Sequence, residues 1–225
     1  MVHPNPQRPD QNRIIFYDIS SMKLHWSSRS PFVRKVMVVA HETGLIGRFE
    51  CPRMAVAMTR AVPELMRDNP LSKIPTMVLD DGSVLYDSAI ICEYLDTLHD
   101  GLKMFPVESK ARFTALRRQA LGDGLLDILI LWRNERERPL QQVSKVFISA
   151  YNAKVNATLN VFETEIPELD QTPFGIGHIA YAVSVAYIDF RFSELPWREG
   201  RPRLAAWHAN VLARPSFQMT EPIDV

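Results

Sequence analysis

Residues 69–88 read NPLSKIPTMVLDDGSVLYDS, and this run holds the densest set of structural signals in the chain. Asp81-Gly82 lies between the apolar runs Thr76–Leu79 and Ser83–Tyr86, which is the strongest short-range signal for a β-hairpin. Pro75 stands where the first strand begins, and a missing proline N–H costs no ladder hydrogen bond there. The run therefore predicts a loop, an antiparallel hairpin and then the start of a helix.

Two features of the same run favour a ligand. An Ile74-Pro75 bond ahead of a hairpin is a place for a cis peptide, which would leave the Ile74 N–H and C=O free for the backbone of a peptide-like guest. Asp87 and Ser88 precede the helical pattern Ala89–Leu98, and a helix N-terminus favours a carboxylate. Taken singly, each feature is better explained by a structural role, as a strand start or a helix cap.

Taken together, Asn-Pro-Leu-x-Lys-Ile-Pro, Leu-x-Asp-Asp-Gly and Leu-x-Asp-Ser resemble the glutathione-binding half of the glutathione transferase family. The resemblance implies that Ile74-Pro75 is a cis-proline pair that receives the cysteinyl backbone of glutathione, the cosubstrate. It also implies that Asp87 and Ser88 receive the γ-glutamyl carboxylate, and Asp87 could approach the γ-glutamyl ammonium as well. Lys73 could help to hold a ligand carboxylate, and an exposed loop lysine is the equally good alternative.

Composition narrows the function classes. The 225 residues suit one large domain or two small ones, and 26 basic against 26 acidic residues argue against a nucleic-acid or membrane-surface partner. No apolar run is long enough to span a membrane. Cys51 and Cys92 have neither metal nor redox spacing, and the six histidines form no metal-binding pair, so no metal is predicted. Without a disulfide framework, a cytoplasmic location is expected.

The predicted elements follow the order β-α-β-α-β-β-α up to residue 99, and only helices follow. Together with the resemblance, on which this assignment mainly rests, the order indicates an α/β thioredoxin-like domain and then an all-α domain. We predict a flexible extension at residues 1–21, the glutathione-binding domain at 22–99, a linker at 100–107 and the helical domain at 108–225. The predicted helices of the second domain are Ser109–Glu135, Leu140–Ile166 (stopped by Pro167), Ile179–Phe192 and Arg203–Ala213.

The turn from Ser27 to Ser30 is where the glutathione sulfur is expected. The nucleophile is the thiolate, and a free thiol with a pKa of about 8.5 is only slightly ionised at neutral pH. A hydrogen-bond donor and a helix N-terminus both favour the thiolate. By resemblance, Ser27 matches the thiolate-stabilising serine of theta- and zeta-like members, and Ser30 matches the cysteine of omega- and beta-like members. A loop serine at 27 and a helix cap at 30 are the structural alternatives.

The resemblance also places a second substrate between the domains, against the helix Ser109–Glu135. Trp132 and Arg133 are the candidates for this pocket, although an aromatic residue on a helix face belongs more often to the core. One departure concerns the cap of the buried helix, where the family usually has Ser or Thr and then Asp three residues on. Gly175 and His178 stand there, so we expect a weaker cap and lower stability or slower folding, with the chemistry retained.

The favoured hypothesis is a homodimeric glutathione transferase that adds the thiolate to a small electrophilic or apolar compound. Peroxide reduction, dehalogenation and isomerisation use the same thiolate, and Arg29 weakens the last because the zeta-like isomerases have cysteine there. The alternative is a non-catalytic binding or scaffold protein with the same fold. Ile74-Pro75 and Asp87-Ser88 argue against this alternative, because a scaffold needs no carboxylate anchor.

Overall fold

Four short strands form a single mixed sheet in the computed structural model, which describes residues 22–224. The extension predicted at residues 1–21 lies outside the described residues. The strands are β1 Met22–His25, β2 Phe49–Glu50, β3 Thr76–Val78 and β4 Val84–Leu85, in the order β2-β1-β3-β4. β1 pairs in parallel with β2 and antiparallel with β3, and β3 pairs antiparallel with β4. The predicted thioredoxin-like order of elements is confirmed.

The hairpin of β3 and β4 forms at the predicted dipeptide. Gly82 has φ +82°, in the left-handed region that favours glycine, and its N–H donates to the Leu79 carbonyl at 2.9 Å. Leu79 in turn donates its N–H to the Ser83 carbonyl at 2.8 Å. The Asp81 carboxylate accepts the Ser83 N–H at 2.8 Å, and this hydrogen bond stabilises the turn. The Asp-Gly signal therefore predicted both the turn and the strand pairing.

Three helices accompany the sheet, namely α1 Pro31–Glu42, α2 Pro63–Met66 and α3 Ser88–Thr97. Pro31 occupies the first position of α1, where its missing N–H has no helical partner to lose, and the Ser30 hydroxyl accepts the Val33 N–H at 3.3 Å. The helix ends before Gly44, which has φ +71°. Leu24, Val36, Met77 and Ile91 then join the sheet and helices in one buried cluster.

The rest of the described chain is helical, with α4 Ser109–Arg136, α5 Lys145–Leu169, α6 Ile176–Arg191, α7 Pro202–Leu212 and α8 Pro215–Gln218. Two predicted bounds of α5 were wrong. A turn of 3₁₀ helix at Leu140–Gln142 precedes it, and Ser144 caps its start by accepting the Phe147 N–H. The helix continues past Pro167, because Ile166 and Leu169 are buried and their packing offsets the one N–H that the proline lacks.

Helix α6 is buried nearly all round and packs against both α4 and α1, so it joins the two parts of the molecule. Gly122 of α4 permits the close approach, because a Cβ there would lie 2.7 Å from the Ala180 carbonyl oxygen of α6. The fully buried Lys35 of α1 places its Nζ 2.7 and 2.6 Å from the two carboxylate oxygens of Asp123 on α4. Close helix packing and a buried ion pair thus fix the interface.

The start of α6 corrects part of the expectation about its cap. Gly175 supplies no side-chain acceptor, as expected, but the Met104 carbonyl accepts the Ile176 N–H at 2.9 Å. His178 completes the turn, because its Nδ1 accepts the Gly175 N–H at 3.2 Å. A Cβ at position 175 would lie only 2.5 Å from the Met104 oxygen, so the usual serine or threonine does not fit. The glycine therefore suits this close contact, and its effect on stability and folding stays a prediction.

Candidate functional site

The strand register brings three sequence-predicted segments to one end of the sheet. His25 pairs with Thr76 across β1 and β3, so the turn after β1 lies beside Ile74 and Pro75. Met77 pairs with Leu85 across β3 and β4, so Asp87 and Ser88 follow β4 at the same end. Ser27, Ile74 and Ser88 come from segments separated in sequence and meet because neighbouring antiparallel strands end together.

The loop before β3 holds Ile74 outside the strand ladder, which begins at Thr76, and the Ile74-Pro75 peptide is cis. Sequence reasoning missed Asn69, whose buried amide organises this loop. Its Nδ2 donates to the Lys73 carbonyl at 3.2 Å and to Thr76 Oγ1 at 2.9 Å. Its Oδ1 accepts the Leu71 N–H at 3.0 Å. An Asn ahead of a Pro-rich loop was the available signal, because asparagine often bonds to its own loop backbone.

Asp87 and Ser88 form the start of α3. Asp87 is the N-cap, and its Oδ1 accepts the Ala89 N–H at 2.9 Å. Ser88 is the first helical residue and is only 2% exposed, and the peptide that precedes Asp87 is cis. The helix N-terminus provides amide hydrogens and a positive dipole end, which together favour an anionic group.

Lys73 is exposed in the loop before β3. Burial raises the pKa of Asp127 on α4, while the Lys73 ammonium opposes this shift and the Asp87 carboxylate adds to it. Both loop charges are therefore within electrostatic range of one carboxylate on the facing helix.

The turn between β1 and α1 carries both candidate serines. The Ser27 side chain is buried, and its Oγ accepts the Arg29 N–H at a long 3.4 Å. Ser30 Oγ accepts the Val33 N–H at 3.3 Å, so its role as a helix cap is observed directly. Both hydroxyls act as acceptors in these bonds, so each retains a proton to donate. Either serine is chemically able to donate a hydrogen bond to a thiolate.

The two residues predicted for a second-substrate pocket have different surroundings. Trp132 is 5% exposed, and its ring centroid lies 5.2 Å from that of Phe192 in the core, which favours the structural alternative, while its part in a pocket stays a prediction. Its apolar area favours burial, as for most aromatic residues on a helix face. Arg133 is only partly buried, with Nη1 3.3 Å from Tyr187 Oη and Nε 3.1 Å from Glu137.

Tyr187 belongs to a crevice between the β1–α1 turn and α6 that the sequence did not reveal. Its lining residues are Arg29, Ser30, Pro31, Arg34, Val183, Tyr187 and Pro222. Residues 221–224, called the closing segment here, run over this crevice, and the Ser28 hydroxyl donates to the Ile223 carbonyl at 2.9 Å. The segment has no periodic pattern, so no sequence signal predicted that it would return to the site.

Cys92, the metal-binding groups and the membrane spans were the remaining points on which the sequence made predictions. Burial raises the pKa of the Cys92 thiol to about 12, so this cysteine stays protonated, as expected of a core residue. Residues 22–224 contain no group of three or more His, Cys, Asp or Glu side chains arranged to hold a metal ion. Over the same range, every helix is too short or too polar to cross a bilayer.

Comparison with known proteins supports the assignment made from these residues. Models of the glutathione S-transferase N-terminal and C-terminal domains match residues 29–98 and 137–210. The uncharacterized GST-like protein YibF of Escherichia coli is 32% identical over 89% of this chain and 98% of its own length. A crystal structure of a glutathione transferase family member from Pseudomonas fluorescens, with bound glutathione, superimposes with a TM-score of 0.88.

That protein is 38% identical to this chain, and the match covers 91% of this chain and all of the solved one. A second structure from the same organism, with bound S-(propanoic acid)-glutathione, gives a TM-score of 0.84 at 37% identity, covering 90% and 100% of the two chains. One domain model matches the α/β part and the other matches the helical part, and each relative covers both parts. The chain therefore belongs to the glutathione S-transferase family.

Proposed function

We propose that this protein is a glutathione transferase, which binds glutathione at the end of the sheet and adds its thiolate to a small electrophile. The observation that carries this proposal is the strand register, which gathers the Ser27 turn, the Ile74-Pro75 loop and the start of α3. Two structures of P. fluorescens relatives contain glutathione or a glutathione conjugate, which supports a glutathione site here.

Each part of glutathione has a suitable partner among these residues. The Ile74 backbone lies outside the ladder and receives the cysteinyl N–H and C=O, while Ser88 and the N-terminus of α3 receive the γ-glutamyl carboxylate. Lys73 approaches a carboxylate, and Asp87 approaches the γ-glutamyl ammonium. Ser27, or in its place Ser30, donates its hydroxyl proton to the sulfur and stabilises the thiolate.

The reaction follows from the thiolate. Its lone pair forms a carbon–sulfur bond with an electrophilic carbon, and either a leaving group departs with its bonding pair or a polarised double bond takes up a proton. The conjugate bound by the P. fluorescens relative carries an organic group on glutathione, as a transfer reaction would produce. This favours conjugation over peroxide reduction and over the scaffold alternative.

We also propose a homodimer in the cytosol. Ile90 on α3 and Phe113 on α4 are large, exposed apolar residues, and the Arg112–Glu93 ion pair connects the same two helices. Exposed apolar area on neighbouring helices favours burial by a second copy. Cys51 and Cys92 are free thiols, as is usual in a reducing compartment. Sedimentation equilibrium should give twice the chain mass, and a monomer at micromolar concentration would contradict the dimer.

Binding of glutathione is tested by calorimetric titration of the parent protein and of Ser88→Ala. We expect saturable binding that Ser88→Ala weakens about tenfold, because a hydrogen bond to a carboxylate contributes about 1.5–3 kcal/mol. Ser83→Ala is the matched control, since this exposed hairpin serine contacts only the Asp81 side of the turn. No binding by the parent at millimolar glutathione would disprove the proposal.

Turnover is tested with 1-chloro-2,4-dinitrobenzene, from which the thiolate displaces chloride. Ser27→Ala should lower kcat about a hundredfold with little change in glutathione affinity, because the lost donor acts on the charge of the thiolate. Ser30→Ala should mainly lower stability, by about 1 kcal/mol, because it removes the cap of α1. If Ser30→Ala instead has the larger effect on kcat, Ser30 and not Ser27 donates the hydrogen bond to the thiolate. Glutathione binding without turnover by the parent would favour a scaffold.

A further inference from the structure

The crevice beside the β1–α1 turn is unusually rich in arginine. Arg29 and Arg34 line it next to Ser30, one of the two candidate thiolate donors. Arg133 reaches it from α4 through the Tyr187 hydroxyl, and Arg191 follows one turn after Tyr187 on α6. Buried Nε atoms of Arg34 and Arg191 have no hydrogen-bond partner in the described part of the chain. Arg133 is also paired with Glu137, so the donors left for a further acceptor here belong to Arg29, Arg34 and Arg191.

One carboxylate of the protein already occupies the arginine site. Arg191 donates from Nη1 and Nη2 to the two oxygens of Asp224, at 2.9 and 3.1 Å, in the two-pronged geometry that guanidinium groups offer to carboxylates. Arg29 Nη1 lies 3.8 Å from the same carboxylate. The pKa of Asp224 is lowered, first by the Arg191 hydrogen bonds and further by the charges of Arg29 and Arg133.

The hold on Asp224 is weak enough to be exchanged. The Asp224 side chain is 58% exposed, whereas that of Arg191 is only 16% exposed. An ion pair with one partner so exposed to water contributes little to stability. The arginines stay in place, because Arg191 also lies 4.0 Å from the Phe190 ring centroid and Arg133 is bonded to Tyr187. The acceptor is thus replaceable, while Arg133 and Arg191 have other contacts that hold them in place.

We propose that Arg29, Arg133 and Arg191 bind the carboxylate of the second substrate, a small electrophilic organic acid, which displaces Asp224 and opens the closing segment. This proposal rests on the proposed function, because the acid must lie beside a bound glutathione. The apolar part of the acid contacts Val183 and Tyr187, which line the crevice next to Ser30. Asp224 and its segment cover the crevice until the substrate carboxylate takes over the arginines.

Calorimetric titration with a matched pair of conjugates tests this proposal. S-(2-carboxyethyl)glutathione and S-(2-carbamoylethyl)glutathione differ only in a carboxylate that becomes a neutral amide. We expect the parent to bind the carboxylate conjugate about tenfold more tightly, because charge-assisted hydrogen bonds to arginine are stronger than those of a neutral amide. Arg191→Gln and Arg29→Gln should each reduce this preference, while glutathione itself binds as in the parent.

The exposed Arg29 keeps the test valid if Arg191→Gln folds poorly. Asp224→Asn should tighten binding of the carboxylate conjugate but not of the amide conjugate, because it removes the carboxylate that competes for Arg191. Arg198→Gln is the control, since this arginine pairs with Asp189 away from the crevice, and it should leave the preference unchanged. Equal affinity of the parent for both conjugates would overturn the inference with the proposed function intact, whereas absence of glutathione binding would overturn both. An unchanged affinity in Asp224→Asn would overturn the displacement of Asp224.

Discussion

His178 is a single residue whose protonation state is fixed by what surrounds it. It is buried beneath the start of α6, where Nδ1 accepts the Gly175 N–H and Nε2 lies 3.0 Å from the Leu169 carbonyl, to which it donates. The neutral ring makes both hydrogen bonds. Protonation of Nδ1 would remove the acceptor of the Gly175 N–H and place two hydrogens against each other. Burial lowers its pKa to about 4, Arg118 adds to the shift, and the Leu169 bond and Asp170 oppose it.

This environment predicts how stability depends on pH. In the unfolded protein the histidine has a pKa of about 6.5, whereas in the folded protein it is protonated only near pH 4. The free energy of unfolding therefore decreases as the pH falls between these two values. The slope for one such histidine approaches about 1.4 kcal/mol per pH unit. We expect His178→Gln to lose this part of the decrease in urea unfolding from pH 7 to 4.5. His41→Gln is the control, and equal slopes for His178→Gln and the parent would contradict the assignment.

His208 shows that the same effect occurs elsewhere. Burial lowers its pKa to about 4 as well, and its Nε2 lies 3.2 Å from the Ala182 carbonyl. Some acid sensitivity should therefore remain in His178→Gln. Two buried neutral histidines of the helical part thus contribute to the loss of stability in acid, because each acquires a proton on unfolding.

At the scale of elements, the contact between α4 and α6 depends on one glycine of a closely spaced pair. A Cβ at Gly122 would meet the Ala180 backbone at 2.7 Å, whereas a Cβ at Gly124 would meet nothing within 4 Å. Both glycines lie inside α4, so they have the same intrinsic cost to the helix. A comparison of the same substitution at both positions therefore distinguishes the effect of helix packing on stability from the effect of helix propensity.

Alanine substitutions at the two positions should therefore have opposite effects. Gly124→Ala should raise the free energy of unfolding by about 0.5–1 kcal/mol, because alanine has less backbone entropy to lose. Gly122→Ala should lower it by about 1–3 kcal/mol, because α4 and α6 must move apart. Thermal unfolding of both variants measures the difference. Stabilisation by Gly122→Ala would show that the helices are not in close contact there.

At the scale of the whole molecule, ion pairs connect the α/β part to the helical part. Lys35 and Asp123 join α1 to α4, and burial raises the pKa of the Asp123 carboxyl while Lys35 opposes that shift. Arg214 and Glu42, with Nη2 and Oε2 2.7 Å apart, join α1 to the segment before α8. Charges buried between two parts of a protein require partners, so these pairs specify how the parts fit together.

Removal of one partner should be more harmful than removal of both. We expect Lys35→Met to lower the free energy of unfolding by about 3–5 kcal/mol, because Asp123 is left without its cation. The double variant Lys35→Met with Asp123→Leu should recover most of this loss, since two apolar side chains of similar volume replace the pair. Urea unfolding of the two single variants and the double variant measures the coupling. A double variant as unstable as Lys35→Met would contradict this account.

Much of this fold was already determined by the sequence, because its signals act over a few residues. Asp81-Gly82 set the hairpin, Ser30-Pro31 set the start of α1, and the Leu-x-Asp-Ser run set the start of α3. Each depends on backbone geometry or on one local hydrogen bond, which neighbouring residues suffice to specify. The candidate glutathione residues were named from the resemblance of their motifs to the family, and their individual roles remain predictions.

Only the tertiary structure decided what depends on distant partners. The Met104 carbonyl leaves no room for a Cβ at Gly175. Helix α5 continues past Pro167 because Ile166 and Leu169 are buried. Trp132 packs against Phe192 in the core. The closing segment reaches Ser28 and Arg191 from far along the chain, without any periodic pattern of its own. Burial and long-range contacts arise only when the elements pack, and so they leave no local signal in the sequence.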